Sequence, residues 1–243
     1  MNGRAALFAQ PVAVLAVLVA FAVWLSVADL SAAERTTLDP AKLVAYAGEH
    51  LALTFTSAAI VLVVALPLGV LLTRGPFRRA SGAVLAVANV GQAAPAIGLV
   101  VLLATWLGFT FRAAVVALVL YAVLPVLRNT MIGLQSVDPR LVEAGRGMGM
   151  SATRVLATVE LPLAVPVMLS GIRTALVLLV GSAALATFIG AGGLGLLVTT
   201  GVNLFLPRVL VSGALLIALL ALLVDWLGRV VEHVARPKGL QPA

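Results

Sequence analysis

Six long apolar runs, separated by short polar segments, most constrain what this chain folds into. The runs cover about residues 12–28, 51–73, 83–107, 113–127, 163–189 and 209–227. A helix needs about 20 predominantly apolar residues to cross the hydrocarbon core of a bilayer. Hydrophobic residues make up 62% of the chain and charged residues 10%. In soluble domains about half of the residues are hydrophobic and about a quarter are charged. The sequence therefore predicts an all-α membrane protein with about six transmembrane helices.

Three features of these runs need separate explanations. The first run has a candidate cleavage site at residues 26–28, but it is longer than the usual apolar region of a signal peptide. We therefore expect an uncleaved first helix. The fourth run has only about 15 residues, so we expect Arg112 and Arg128 to extend it by reaching the membrane surfaces. The outer boundary of the fifth run stays open, because part of the glycine-rich segment 190–207 could re-enter the membrane.

The basic residues are distributed unevenly between the two sides of the membrane. Six spans place both termini on one side, and eleven of the sixteen Lys and Arg residues fall there. Four fall on the opposite side, and Arg173 lies inside a run. Because positive charge accumulates in cytoplasmic loops, we predict a multi-pass plasma-membrane protein with both termini cytoplasmic. The cations form no continuous patch, so nucleic acid is not an expected partner.

The polar stretch 138–162 is the longest charged interval between two apolar runs. Asp138-Pro139 has the pattern of a helix start, and the glycines at 145, 147 and 149 predict its end near Arg146. Ser151 predicts the cap of a second helix, which should run to about Val159 and stop at Leu161-Pro162. Two capped helices predict a folded cytoplasmic loop that docks onto a partner protein. The alternative is a passive, solvated loop.

Several residues of this loop match a known pattern. Glu143-Ala144-Gly145, Gly149 and Val159-x-Leu161-Pro162 resemble the EAA loop of permease subunits in binding-protein-dependent ABC importers. Gly145 replaces the second alanine of that pattern and Val159 replaces an isoleucine. Motifs elsewhere in residues 50–230 resemble the permeases for glycine betaine, carnitine and choline. They are Leu124-Pro125, Arg128-Asn129-Thr130, Val137-Asp138-Pro139, Gly171-Ile172-Arg173-Thr174 and the segment 189–195.

This resemblance implies a type I ABC importer permease fold and a set of partners. The partners are a second permease subunit, two ATPase subunits that bind ATP and Mg, an extracytoplasmic substrate-binding protein and membrane lipid. The implied division of the chain is a first helix and outer loop in 1–49, a permease domain in 50–230 and a cytoplasmic tail in 231–243. The residues implied to couple to the ATPase are Asp138, Pro139, Leu141, Glu143, Ala144, Gly145, Gly149, Leu161 and Pro162.

Polar residues inside the apolar runs are candidates for the solute path. Asn89 and Gln92 lie on one helical face, with Pro95 one turn further on. Polar groups at membrane depth usually face a bundle interior or water, although they also join helices. Weaker candidates of the same kind are Tyr121, Ser170, Thr174, Ser182 and Thr187. An unpaired charge at the membrane depth of Arg173 would be unfavourable, so we expect an oppositely charged partner. Asp225, near the inner end of the sixth run, is the expected partner, and the two should form a structural ion pair.

The sequence argues against chemistry carried out by this chain. No G-x-x-x-x-G-K-[ST] motif is present, so ATP hydrolysis is expected on other subunits. Gly190-x-Gly192-x-x-Gly195 fits a dinucleotide fingerprint but follows an apolar run instead of a strand, so nucleotide binding is not expected. No cysteine is present, His50 and His233 are far apart, and no bound metal or cofactor is predicted. Few aromatic residues are available for a quaternary-ammonium cage, so we expect the external binding protein to set selectivity.

Three alternative functions remain open from the sequence. A methionine or other small-solute ABC importer permease is the nearest. An ion-coupled secondary transporter would need intramembrane carboxylates, and Asp225 alone near an edge disfavours it. An intramembrane enzyme would need a catalytic or metal constellation, which the sequence does not suggest. The preferred prediction is a compatible-solute permease.

Overall fold

The computed structural model describes the backbone of residues 3–235 and the side chains of residues 8–235, and this part is helical with short connections. Its α-helices are α1 (Gly3–Val27), α2 (Ala32–Thr37), α3 (Pro40–Leu72), α4 (Ser81–Ala93), α5 (Ala96–Leu107), α6 (Phe111–Gln135), α7 (Pro139–Gly147), α8 (Ala152–Val155), α9 (Leu161–Ala183), α10 (Gly195–Asn203) and α11 (Pro207–Ala235). Tighter 3₁₀ turns cover Gly75–Ala80 and Ala184–Ile189, and a wider π-helical turn covers Leu156–Glu160. Residues 236–243 of the predicted tail lie outside the described residues.

Five helical segments are long and apolar enough to cross a membrane, and a bent pair supplies a sixth candidate. The five are Phe8–Val27, Pro40–Leu72, Phe111–Gln135, Ala152–Ile189 and Pro207–Ala235. The bent pair is Gly75–Ala93 with Ala96–Leu107. The prediction of an all-α protein with about six transmembrane helices is therefore confirmed.

The third apolar run is not the single continuous helix that its length suggested. Helices α4 and α5 meet at Ala94-Pro95 with a bend of 99°. Proline restricts the residue before it to extended conformations, and Ala94 has φ −63° and ψ 142°. The chain therefore changes direction at Pro95, and the residues on either side of it belong to different helices.

Two predicted helix ends were wrong because the helices continue past them. Helix α6 runs through Pro125 and beyond Arg128 to Gln135, so the fourth span has 25 residues and needs no extension by arginine side chains. Asp39-Pro40 has the sequence pattern of a helix start, which predicts a short interfacial helix toward Tyr46, but it begins the long helix α3 itself. Asp39 Oδ1 accepts hydrogen bonds from the backbone N–H groups of Ala41 and Lys42, which caps this long helix.

The second helix of the polar stretch also continues, and the predicted stop at Leu161-Pro162 was wrong. Residues 152–189 form one helical segment in which the π-helical turn Leu156–Glu160 precedes Pro162. The N–H of Leu161 donates to Leu156 O, five residues back, so the backbone widens just before the proline, which has no N–H to donate. The stretch 138–162 is therefore one short helix followed by the start of a membrane-spanning segment.

Helix α6 is the centre of the described structure. It packs against α3, α4, α5 and α9, and many of its apolar residues are buried, among them Ala113, Ala122 and Val126. Small side chains at such contacts allow helices in membranes to approach closely. Helix α1 is peripheral, since it is mostly exposed and packs on α11, where Gln10 Nε2 donates to Leu222 O at 2.7 Å.

The connection between α1 and α3 is anchored to the start of α11. Ser31 and Glu34 form a capping box on α2, and Arg208 Nη1 donates to Asp29 O at 2.5 Å and lies 3.7 Å from Glu34 Oε2. The Ser31 N–H, which donates to Glu34 Oε2 at 2.9 Å, holds the pKa of Glu34 below its ordinary value, while partial burial acts in the opposite direction. The carboxylate therefore stays ionised and keeps both partners.

Candidate coupling loop and solute path

Helix α7 stands at the turn between α6 and the segment that leads into α9. Asp138 Oδ1 accepts a hydrogen bond from the N–H of Arg140 at 2.9 Å, and Pro139 occupies the first turn, where its missing N–H is not needed. The helix ends in a turn at Gly149, whose φ of +82° is easily reached only by glycine. The N–H of Met150 donates to Gly145 O at 3.1 Å and closes this turn. The start of the first helix was thus predicted correctly from local chemistry.

One face of α7 packs inward and the other is exposed. Gly145 is buried, and a Cβ atom there would lie 3.3 Å from Val155 Cγ2 and 3.6 Å from Met150 Sδ. The absent side chain lets α7 lie close to the start of the next helical segment. Glu143 and Ala144 are exposed, and Leu141 and Met148 expose 48% and 71% of their surface. Exposed apolar residues beside charged ones form a surface suited to a partner protein.

An ion pair at the base of this loop was missed by the sequence reasoning. Arg74, which follows α3, pairs with Glu160 at the end of the π-helical turn through two hydrogen bonds, one of them from Nη1 to Oε1 at 3.1 Å. The Glu160 side chain is 6% exposed and that of Arg74 is 35% exposed. A cavity of about 310 Å³ between this pair and α7 is lined by residues that include Glu143 and Arg146. The pair joins the ends of two membrane-spanning segments next to α7.

The six residues predicted to line the solute path do not meet in one cavity of this subunit. Asn89 is exposed and Gln92 is partly buried on α4, and Pro95 lies at the bend before α5. Tyr121 is partly buried on α6. Ser182 is buried and Thr174 is exposed on α9. Among the weaker candidates, Ser170 is exposed and Thr187 is partly buried. Their role in a path therefore stays a prediction.

Arg173 and Asp225 do come together, between α9 and α11. Arg173 Nε donates to Asp225 Oδ1 at 2.6 Å. Arg229 Nη2 lies 3.4 Å from Asp225 Oδ2, and Arg173 Nη1 lies 3.8 Å from Glu232 Oε2. The predicted partners are thus adjacent, within a larger group of two cations and two anions. A purely structural role for the pair stays a prediction.

The N-terminal part of α3 and the C-terminal end of α9 are joined by contacts that the sequence did not reveal. Glu49 Oε2 accepts a hydrogen bond from the N–H of Gly193 at 2.8 Å, and Gly193 has φ +94°. His50 is fully buried, with Nε2 2.8 Å from Val180 O. The glycines of the apparent dinucleotide fingerprint therefore form a turn against α3, and the described residues contain no strand before them. No group of three potential metal ligands occurs within residues 3–235.

Comparison with known proteins places this architecture in a family. The family model described as "Binding-protein-dependent transport system inner membrane component" matches residues 65–236. The glycine betaine/carnitine/choline transport system permease protein OpuCB of Bacillus subtilis (strain 168) is 41% identical over 194 residues, which cover 80% of this chain and 88% of that protein. The osmoprotectant import permease protein OsmW of Salmonella typhimurium is 41% identical over 198 residues, covering 79% of this chain and 91% of that protein.

Solved structures agree with this assignment. A chain of the MetNI methionine ABC transporter in an inward-facing conformation is 28% identical and superposes with a TM-score of 0.69, over 82% of this chain and 99% of that one. A chain of an amino acid ABC transporter has a TM-score of 0.68 at 18% identity, over 85% of this chain and all of that one, and supports the fold alone. The chain therefore belongs to the binding-protein-dependent transport system inner membrane components, the permease subunits of ABC importers, and has their type I importer fold.

Proposed function

We propose that this chain is the permease subunit of an ATP-driven importer for compatible solutes such as glycine betaine, choline and carnitine. The observation that carries the proposal is the 41% identity, over most of both chains, to a permease named for glycine betaine, carnitine and choline and to one named for osmoprotectant import. The match to the methionine transporter chain is lower, at 28% identity, so a methionine permease is the weaker alternative. An ion-coupled carrier is disfavoured because Asp225 is already paired with Arg173 and Arg229.

The partners follow from the family. Two ATPase subunits would bind ATP and Mg and dock against α7, a second permease subunit would complete the path, and an extracytoplasmic binding protein would deliver the solute. Closure of the ATPases would displace α7, and the displacement would reach the spans on either side of it through their direct continuity with the loop. This chain would supply no catalytic residue of its own.

Uptake into proteoliposomes tests the function. The complete set of subunits, loaded with internal ATP, should accumulate radiolabelled glycine betaine, choline or carnitine against a gradient, and should leave methionine outside. Omission of the ATPase subunits should abolish accumulation. Uphill transport by this chain alone, or accumulation of methionine in place of the quaternary ammonium solutes, would contradict the proposal.

Replacing Glu143 with alanine should reduce uptake by about tenfold or more, because a few residues near the centre of a docking face carry most of its binding energy and Glu143 is exposed in the middle of α7. The amount of permease in the membrane should not change, since Glu143 is exposed. Uptake and co-purification of the ATPase should be measured together. The matched control is Asp29→Ala, which removes an exposed acid from the outer connection. Equal uptake by the Glu143 variant and the wild type would show that α7 is not the coupling element.

Single cysteines should report the orientation, because the chain has none of its own. Met148→Cys lies in the loop after α7, and Ala33→Cys lies on α2 at the opposite end of the spans; both positions are exposed. A membrane-impermeant maleimide should label Ala33→Cys in intact cells, and should label Met148→Cys only in inverted vesicles. The opposite pattern would place the loop outside the cell and exclude contact with cytoplasmic ATPases.

A further inference from the structure

A cavity of about 370 Å³ with charged, hydroxyl and aliphatic side chains in its lining opens between α9 and α11. This volume falls in the range of small-molecule sites, which is about 300–1,000 Å³. Its lining combines the Arg173–Asp225 ion pair with two hydroxyl side chains and two aliphatic ones. The lining residues are Ser170, Arg173, Thr174, Val177, Leu178 and Asp225. Thr174 was predicted from the sequence as a path residue and Arg173 as a structural one, so the structure places the two kinds of candidate at one site.

The ion pair is only partly enclosed within this subunit. The Arg173 side chain is 35% exposed and the Asp225 side chain 21% exposed, although both residues lie in helices long enough to span a membrane. A charged group that faces lipid at such a position is unfavourable, and intramembrane charges usually face a water-filled cavity or a bundle interior. The exposed parts of this pair therefore belong on an aqueous or protein-enclosed surface, and the cavity provides it.

The guanidinium of Arg173 has donors beyond the one that bonds Asp225. A guanidinium has about five N–H donors, and the hydrogen bond from Nε to Asp225 Oδ1 uses one of them. The distance of 3.8 Å from Nη1 to Glu232 Oε2 is too long for a good hydrogen bond. The terminal nitrogens therefore remain suited to a second carboxylate, which arginine binds well through paired hydrogen bonds.

The charges around the cavity are balanced in sign. Asp225 and Glu232 are acidic, and Arg173 and Arg229 are basic. A solute that carries both a carboxylate and a permanent cation matches such a group, because each of its charges meets one of opposite sign. Val177 and Leu178 offer apolar contact for methyl groups on the cation. None of the six lining residues is aromatic, so the site lacks the cage that gives tight binding of quaternary ammonium ions.

From these observations we propose that the cavity is a transient binding site for zwitterionic quaternary ammonium solutes on the transport path, with Arg173 as the residue that receives the solute carboxylate. Asp225, which keeps its contacts with Arg173 and Arg229, is the lining residue whose negative charge attracts the cationic end, since that end has no N–H and interacts through charge alone. Weak binding suits this role, because a solute in transit must leave a site as readily as it enters. The inference rests on the proposed function and adds to it a residue that distinguishes carboxylate-bearing solutes from choline.

The test compares two solutes that share the cation and differ in the carboxylate. Wild-type complex and Arg173→Gln complex are assayed for ATP-driven uptake of glycine betaine and of choline. The expected result is that the betaine-to-choline uptake ratio falls about tenfold in the variant, as expected for the loss of a charge-assisted hydrogen bond. Arg173→Lys, which keeps the charge without the planar donors, should give an intermediate ratio. The control Arg112→Gln removes an exposed cation from the other end of the membrane and should leave the ratio unchanged.

Other results of these uptake assays would contradict the proposed site. An equal loss of both solutes, or no change in either, would overturn the site, since a purely structural pair does not sense the solute carboxylate. If Arg173→Gln is absent from the membrane, Ser170→Leu fills the cavity from an exposed position without removing the ion pair, and unchanged uptake of both solutes would then overturn the site. A wild-type complex that transports none of glycine betaine, choline and carnitine would contradict the proposed function itself.

Discussion

Replacing Gly171 with alanine should lower the free energy of unfolding by about 2–3 kcal/mol, the upper part of the range for overpacked sites. A Cβ atom at this position would lie 2.5 Å from Asn129 Cβ and 2.6 Å from Pro125 O. Both neighbours are on α6, and the carbonyl oxygen belongs to the backbone, so the clash is relieved only if α9 moves away from α6. These two helices form an extensive contact at the centre of the fold, and small residues at such contacts allow close approach.

Helix α9 offers a matched control for this prediction. Gly181 lies on the same helix, and a Cβ atom there would meet nothing within 4 Å. Gly181→Ala should therefore be neutral or slightly stabilising, because alanine favours a helix over glycine by about 0.5–1 kcal/mol. The thermal midpoints of the two purified variants in detergent, together with the fraction that elutes as folded protein, measure the difference. Similar midpoints for the two variants would mean that α6 and α9 are not tightly packed at Gly171.

The parts of the fold that were predicted correctly depend on local chemistry. Apolar length alone located the spans, because crossing a bilayer requires a minimum number of apolar residues. The starts of α3 and α7 were also located correctly, because Asp39 and Asp138 are each followed by proline, and both the cap and the missing N–H act within one turn. These features need no knowledge of distant residues.

The ends of helices were predicted less well because proline has different effects in different surroundings. Pro125 lies inside α6 and is buried among neighbouring helices that keep the helix continuous. Pro95 is exposed, and there the chain bends by 99°. Membrane helices tolerate proline when their surroundings satisfy the freed backbone groups. Proline therefore lies within a continuous helix at position 125 and interrupts the helix at position 95. The packing around each proline decides between these outcomes.

At the candidate site too, features set by neighbouring residues in the sequence were predicted better than contacts between distant residues. The exposed face of α7 was predictable, because its pattern is contained in a few consecutive residues. Arg173 and Asp225 were paired correctly because charges inside apolar runs are rare and few combinations exist. Arg74 and Glu160 are 86 residues apart and both lie at span ends, where charged residues are common. Nothing in the sequence distinguished this pair from the other charged residues near the ends of the spans.

Removal of Glu160 should uncouple transport from ATP hydrolysis as well as destabilise the permease. The Glu160 carboxylate is nearly buried against Arg74, and breaking a fully buried pair costs about 3–5 kcal/mol. Solvent reaches the partly exposed Arg74 side chain and screens the interaction, so we expect Glu160→Ala to lower the free energy of unfolding by about 2 kcal/mol. The pair directly connects the end of α3 to the end of the π-helical turn. Without the pair, we expect a displacement of α7 to be transmitted less effectively to α3.

Uptake per ATP hydrolysed distinguishes this coupling role from simple destabilisation. In reconstituted complex, Glu160→Ala should keep most of its ATPase activity while solute accumulation falls about tenfold, a loss that corresponds to about 1.4 kcal/mol of coupling free energy. The double variant Arg74→Glu with Glu160→Arg restores opposite charges at both positions and should recover part of the accumulation. Arg208→Ala, which breaks a more exposed pair with Glu34 at 3.7 Å on the opposite membrane face, should change neither quantity by more than about twofold. A parallel fall of ATPase activity and accumulation in the Glu160 variant would assign the pair to stability alone, because a permease that merely unfolds loses both activities in proportion.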